Sequence, residues 1–230
     1  MNNIVVVTLM KTRHMKHFRF LLLFLLLGLF QACSSSEVIE DPNDGNMQEP
    51  VEPDYRLLFV GNSLTYTNNL PLLVKRAAED RGLNIETRSL AYPNYAIVDH
   101  WADGQVQPMI ESGKYDYVII QQGPSSQSEG RNMLFDSGAD YAALCKEHGA
   151  ELAYYMVWPP FDAYHRFDRV IKNYTEAARA NKAILCPVGK VWKDYQDNTK
   201  DYSYYGFDGF HPSAKGSQVA AEVIVGSLIR

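Results

Sequence analysis

The chain has 230 residues, 46% of them hydrophobic and 21% charged, with a formal net charge of −5. That balance belongs to an ordinary globular domain able to bury a core without a disulfide or metal staple, and it excludes collagen-like, coiled-coil and wholly disordered classes. Residues 1–32 carry Lys11, Arg13, Lys16 and Arg19 and no acid; the remainder holds 18 bases against 27 acids, a charge of −9 that argues against nucleic acid as a partner.

The first element is the apolar run FLLLFLLLGLF at residues 20–30, preceded by the basic stretch. A spanning helix needs about 20 apolar residues, so this run is too short to cross a bilayer comfortably. A basic stretch followed by a short apolar one is the layout of a secretory signal. Met15 offers an alternative start to Met1, since MKHFRF makes a compact basic lead-in. Residues 34–54 then hold seven acids, no base, and Pro42, Pro50 and Pro53. This segment has too little apolar surface to order itself and reads as a flexible acidic linker, giving the division 1–32 signal, 33–54 linker, 55–230 domain.

From Tyr55 onward short apolar runs alternate with longer amphipathic ones. Residues 56–60 predict a strand ended by Gly61. Residues 69–81 predict a helix, with Leu70, Leu73, Val74 and Ala77 on one face, Pro71 near its start and Gly82 closing it. Further strands are expected at 84–91, 115–121, 151–158 and 183–188. Helices are expected at 97–112, 132–148 and 166–180, and a last one, capped by Ser213, runs to Ile229. Apolar strands separated by helices imply an α/β fold, a three-layer α/β/α sandwich around a parallel five-stranded sheet. Ligands in such sheets lie beyond the carboxyl ends of the strands. That singles out Gly61 to Ser63, Tyr92 to Asn94, Gln121 to Ser125, and Trp158 with Pro159.

Two groups of motifs carry resemblances. Phe30, Gln31, Ala32 and Cys33 directly follow the apolar run, and a small residue before cysteine there resembles the lipobox of bacterial lipoproteins, with Phe30 where leucine is usual. The resemblance implies lipidation of Cys33 and a mature chain tethered to the outer membrane or cell surface, in contact with the membrane through that anchor only. FVGNSLT at residues 59–65 closely resembles the first block of the SGNH (GDSL-type) hydrolases, with Asn62 where aspartate is commoner. DGFHPS at 208–213 matches the block of that superfamily that carries its acid and base. An acid three residues before a histidine, across a bend containing glycine, can reach the imidazole Nδ1 and leave the other nitrogen for the serine.

The second resemblance implies a flavodoxin-like SGNH fold over residues 55–230, with Ser63 as nucleophile, His211 as base and Asp208 as its orienting acid. The middle blocks depart from the pattern. AYPNY at 91–95 lacks the usual glycine, and Asn94 is its best substitute because asparagine tolerates positive φ. QQGPS at 121–125 stands where G-x-N-D is usual. Either Ser125 fills the asparagine slot or Gln122 supplies the amide. Gln122 is preferred, because Gln-Gly resembles the block of sialic-acid-type carbohydrate O-acetylesterases. Gln121, of opposite direction in a strand, is expected to face away. The implied oxyanion hole is the Ser63 N–H, the Asn94 N–H and the Gln122 amide.

Trp158 and Tyr205 are expected to line the substrate cleft, while His100 is expected to be a surface or packing residue. Cys145 and Cys186 are either a disulfide, which export permits, or two buried thiols. No metal or cofactor motif is present, and none is implied. The expected function is an exported serine ester hydrolase removing small acyl groups from carbohydrates, its partner an acylated small molecule or glycan. A glycan-binding surface protein that has lost catalysis remains the alternative from another class.

Overall fold

The computed structural model describes residues 51–229. The proposed signal, Cys33 and most of the linker therefore lie outside the described residues. The linker's last residue already belongs to the fold. Asp54 N–H donates to Asn84 O (2.7 Å), and Asn84 N–H donates to the Asp54 carboxylate (2.8 Å).

In chain order the elements are β1 (Tyr55–Gly61), α1 (Ser63–Tyr66), α2 (Leu70–Glu79), β2 (Ile85–Ala91), α3 (Ile97–Ala102), α4 (Val106–Glu111), β3 (Tyr117–Ile120), α5 (Ser128–Glu147), β4 (Glu151–Tyr155), α6 (Phe167–Ala180), β5 (Ile184–Cys186), α7 (Val188–Thr199) and α8 (Ala214–Leu228). Short 3-10 turns occupy Thr67–Asn69 and Phe161–Arg166. The sheet is parallel throughout, in the order β2-β1-β3-β4-β5. Leu57 to Val60 on β1 and Val118 to Ile120 on β3 are fully buried, as expected for strands covered on both faces. Packing of α2 on α8 covers one face, and α3 to α6 form a second connected layer. This is the three-layer α/β/α sandwich expected from the alternation.

Three local departures have physical causes. The helix expected over 97–112 is two helices, α3 and α4. Gly104 between them has φ +70°, and Pro108 in a continuous helix would clash with the carbonyl of Gly104, four residues earlier. The strand expected over 183–188 stops at Cys186, because Pro187 and Val188 turn the chain into α7. Helix α7 has no counterpart among the expected elements. Its signals are the pairs Lys190 with Asp194 and Lys193 with Asp197, four residues apart on one face. That helix brings Trp192 against Trp158, the rings stacked with centroids 3.5 Å apart.

The strand order reverses between β1 and β3, and an open parallel sheet leaves a crevice at that point beyond the carboxyl ends of its strands. Cys145 and Cys186 are free, buried thiols, each pushed up to about 12 by burial.

Candidate active site

The crevice begins with the turn from β1 into α1. Gly61 ends the strand because nothing larger fits: a Cβ there would overlap Thr65 Oγ1 and Gln121 Oε1. Asn62 caps α1, its side-chain oxygen accepting from the Leu64 N–H (3.1 Å). Its amide nitrogen donates across to Tyr95 O (2.9 Å). Ser63 opens α1, so its own N–H lies outside that helix's hydrogen-bond ladder.

The loop before α8 closes on this turn. Ser63 Oγ lies 2.9 Å from His211 Nε2, and His211 Nδ1 lies 2.6 Å from Asp208 Oδ2. An ionised carboxylate only accepts, so the Nδ1 proton points at Asp208 and the bare Nε2 accepts from the Ser63 hydroxyl. The other Asp208 oxygen accepts from the N–H groups of Phe210 (3.0 Å) and His211 (2.9 Å). The hydrogen bond from His211, followed by that from the Phe210 N–H, holds the Asp208 carboxyl below the usual carboxylate range. The structure thus joins Ser63 to His211, 148 positions further along the chain, and to Asp208, three before it, in one hydrogen-bonded chain.

No protein-family model and no curated protein matches the sequence. Solved structures do. A protein from Slackia heliotrinireducens described as an SGNH hydrolase superposes with a TM-score of 0.64 at 24% identity, covering 76% of this chain and 98% of its own. The lipase/acylhydrolase of Enterococcus faecalis gives 0.61 at 17%, covering 75% and 94%. A variant of an acetyl-xylooligosaccharide esterase from Geobacillus gives 0.63 at 12%, covering 78% and 96%. The chain has the SGNH-hydrolase fold.

On this SGNH scaffold a cavity of about 410 Å³ opens beside Ser63, lined among others by Asn94, Tyr95, Gln122, Met133 and Phe210. Asn94 has φ +62°, the left-handed conformation that a glycine would adopt at no cost and that asparagine adopts more readily than other residues. Gln122 reaches the cavity, but both its amide hydrogens are engaged, by Ser125 Oγ (2.9 Å) and Gly130 O (3.0 Å). Its Oε1 is buried with no donor among the described residues. Ser125 in turn donates to Gly123 O (3.0 Å). In this arrangement neither residue presents a free donor, and Gln122 braces the loop against the start of α5.

Gln121 does more than the alternation rule suggests. It points away from the cavity, and there its Oε1 accepts from the Asn62 N–H (2.9 Å) and the Thr65 hydroxyl (2.8 Å), gripping the Ser63 turn from behind. His100 is fully buried between Tyr92 and Tyr95. Its Nε2 lies 2.7 Å from Gly61 O, which can only accept, so that nitrogen carries the proton. Burial lowers its pKa and favours this neutral form. No local pattern marks the bonds to Gly61, Asn62 and Thr65, whose partners lie 39 to 59 residues away along the chain.

Trp158 and Tyr205 do not line the cavity, contrary to expectation. Both are buried. Trp158 Nε1–H donates to Phe210 O (2.9 Å) while its ring stacks on Trp192, and the Tyr205 hydroxyl donates to Pro159 O (2.8 Å). Their large rings fill the space beneath the histidine loop, where burial outweighs exposure to a ligand. The aromatic residues that do line the cavity are Tyr95 and Phe210; outside it, Phe207 is fully exposed beside Asp208, and Phe161 packs on Gly209 and Tyr202.

Proposed function

We propose that this chain is an exported serine ester hydrolase that removes O-acetyl or similar small acyl groups from carbohydrates, and that it is held at the membrane through a lipid on Cys33. The observation that carries the hydrolase reading is the chain from Ser63 Oγ through His211 to Asp208, at 2.9 and 2.6 Å. Ser63 Oγ attacks the acyl carbon as its proton passes to His211 Nε2, and Asp208 steadies the imidazolium so formed. The tetrahedral oxyanion is met by the N–H groups of Ser63 and Asn94. Its collapse expels the alcohol, which takes the proton from Nε2 and leaves an acyl-enzyme. Water attacks that ester with the same histidine as base, and Ser63 recovers its proton as the acid departs.

The carbohydrate part rests on other observations. One structural neighbour is described as an acetyl-xylooligosaccharide esterase. Phe207 and Phe161 are exposed aromatic rings, one on the histidine loop itself and the other bonded to it through Gly209 O, outside the cavity beside Ser63. Sugar rings suit such faces, because one side of a pyranose is apolar and its edge is hydroxylated.

A fluorophosphonate probe is expected to label Ser63 in the wild type and to leave Ser63→Ala unlabelled. Hydrolysis should be followed on p-nitrophenyl acetate through octanoate, on acetylated xylan and on acetylated sialic acid, with ~10³-fold or greater loss in Ser63→Ala. Wild type that neither takes the probe nor hydrolyses any of these esters would instead mark a glycan binder that has lost catalysis. The anchor is tested separately: Cys33→Ala should leave the membrane fraction, and wild type found soluble with residues 1–32 attached would remove it from the proposal.

A further inference from the structure

We infer that Asn62 is a positioning residue: its carboxamide ties the turn carrying Ser63 to the loop carrying Asn94, and so sets the spacing of the two N–H groups of the oxyanion hole. This rests on the hydrolase reading above and adds a role for a residue beside the triad.

The Asn94 loop joins β2 to α3 and needs holding. Asn94 sits at φ +62° without the glycine that would make that conformation free. At its near end the loop is fastened to Gly61 O, which accepts from the Tyr92 N–H (3.1 Å) and from His100 Nε2–H (2.7 Å). At its far end Ala96 N–H is taken by Asp99 (2.7 Å), at the start of α3. Between these ends, the bond across to the nucleophile turn is Asn62 Nδ2–H to Tyr95 O, at 2.9 Å, on the residue directly after Asn94. Asn62 is itself immobilised. It is buried, its backbone N–H is held by Gln121, and its side-chain oxygen caps α1 at Leu64. A change in the tie therefore moves the loop rather than the turn.

The chemistry of the side chain makes the inference specific. Capping α1 needs only an acceptor, which aspartate and serine also supply. Reaching Tyr95 O needs a donor on a second atom as well: aspartate has none, and the single short hydroxyl of serine cannot cap α1 and span to Tyr95 O at once. Aspartate is the commoner residue in the SGNH first block, yet here its second oxygen would meet a carbonyl oxygen at hydrogen-bonding distance, lone pair against lone pair. A substitution that brings the chain closer to the family pattern should therefore harm it. The harm should appear in the transition state, because the misplaced N–H of Asn94 meets a charge that exists only there.

The experiment compares Asn62→Asp and Asn62→Ser with the wild type, reading p-nitrophenyl acetate kinetics, Ser63 labelling by a fluorophosphonate, and amide hydrogen exchange. Both variants are expected to lose kcat by ~10-fold to ~10²-fold with KM within about twofold, and to label more slowly, as a donor displaced by an ångström would produce. Exchange should quicken at residues 92–96 in both, and stay as in wild type over α1, whose cap both retain. Wild-type kcat in both variants, or unchanged exchange at 92–96, overturns the inference. Loss in Asn62→Asp alone also overturns it, because it assigns the effect to the charge introduced next to Ser63. Exchange does not depend on catalysis, so an inert wild type would defeat the hydrolase reading while the tie is still decided by exchange.

Discussion

The turn carrying Ser63 and the histidine loop meet at 2.9 Å and are built in different ways. In the turn, Asn62, Leu64 and Thr65 are buried, and its hydrogen bonds run to side chains and carbonyls from Gln121 just beyond β3, from the Asn94 loop and from α3. In the loop, Phe207 and Asp208 are exposed and many bonds are internal: Gly206 N–H to His211 O (2.7 Å), Gly209 N–H to Gly206 O (3.1 Å), and the two N–H groups on Asp208. From outside, the loop is held by Trp158 Nε1–H on Phe210 O, the Phe161 N–H on Gly209 O and the Asn68 side chain on Pro212 O. Stability and activity are thus expected to be coupled in the turn and separable in the loop. In the proposed reaction the attacking oxygen must be placed within a fraction of an ångström, which a buried network secures, while the acid and base need a correct tautomer, which a short self-bonded loop supplies.

Asp208→Asn should break that comparison most sharply. The Asn oxygen can still accept from the Phe210 and His211 N–H groups, so the loop should stand and Tm should move little. Its NH2 would then face His211 Nδ1 and drive the proton to Nε2, where it blocks acceptance from Ser63. A kcat loss of ~10³- to 10⁴-fold is expected, the scale of a wrong tautomer. Steady-state kinetics beside a thermal melt decide it, and a large fall in Tm would show the loop to be as coupled as the turn.

Gly61→Ala tests the opposite end. The added methyl must displace Thr65 Oγ1 or Gln121 Oε1, both buried, so a stability loss of about 1–3 kcal/mol is expected together with a fall in kcat. Chemical denaturation measures the first. Wild-type stability with depressed activity would mean that the turn yields locally and is not coupled to the fold.

The pH response sharpens the account of the loop. Asp208 is held below the usual carboxylate range chiefly by His211. Its contribution to stability is then fully present above the ordinary carboxylate pKa and is lost as pH falls through the lowered folded value. Both side chains are about one-third exposed, 35% and 37%, so solvent keeps the term small. In His211→Ala the Asp208 titration followed by carboxyl NMR should move upward; an unmoved midpoint would assign the shift to the backbone N–H groups alone.

Phe207→Ala should be the mildest change. With no surroundings to disturb, it is expected to leave Tm and p-nitrophenyl acetate turnover as they are. If a sugar stacks there, KM for acetylated xylan should rise a few-fold, consistent with the ~1 kcal/mol typical of an aromatic contact. An equal effect on both esters would place Phe207 outside any sugar subsite.

The sequence by itself determined the α/β alternation, since a strand covered on both faces must be apolar along its length and a helix on that sheet must be amphipathic. It also marked out Ser63, Asp208 and His211, which the fold brings into one hydrogen-bonded chain, because their proposed roles depend on a strand-ending turn and a three-residue offset, both local properties of the chain. Asn94 was legible for a similar reason: a loop that needs positive φ and lacks glycine turns to asparagine. Tertiary structure alone decided the rest. Gln122 and Ser125 spend their donors on Gly130 O and Gly123 O, and Gln121 spends its acceptor on Asn62 and Thr65. Trp158 turns inward to Phe210 O and Trp192. A long polar or aromatic side chain goes wherever an unpaired carbonyl or an unfilled volume awaits it. Those are supplied by segments up to 59 residues away along the chain in the case of Gln121, which no local pattern encodes.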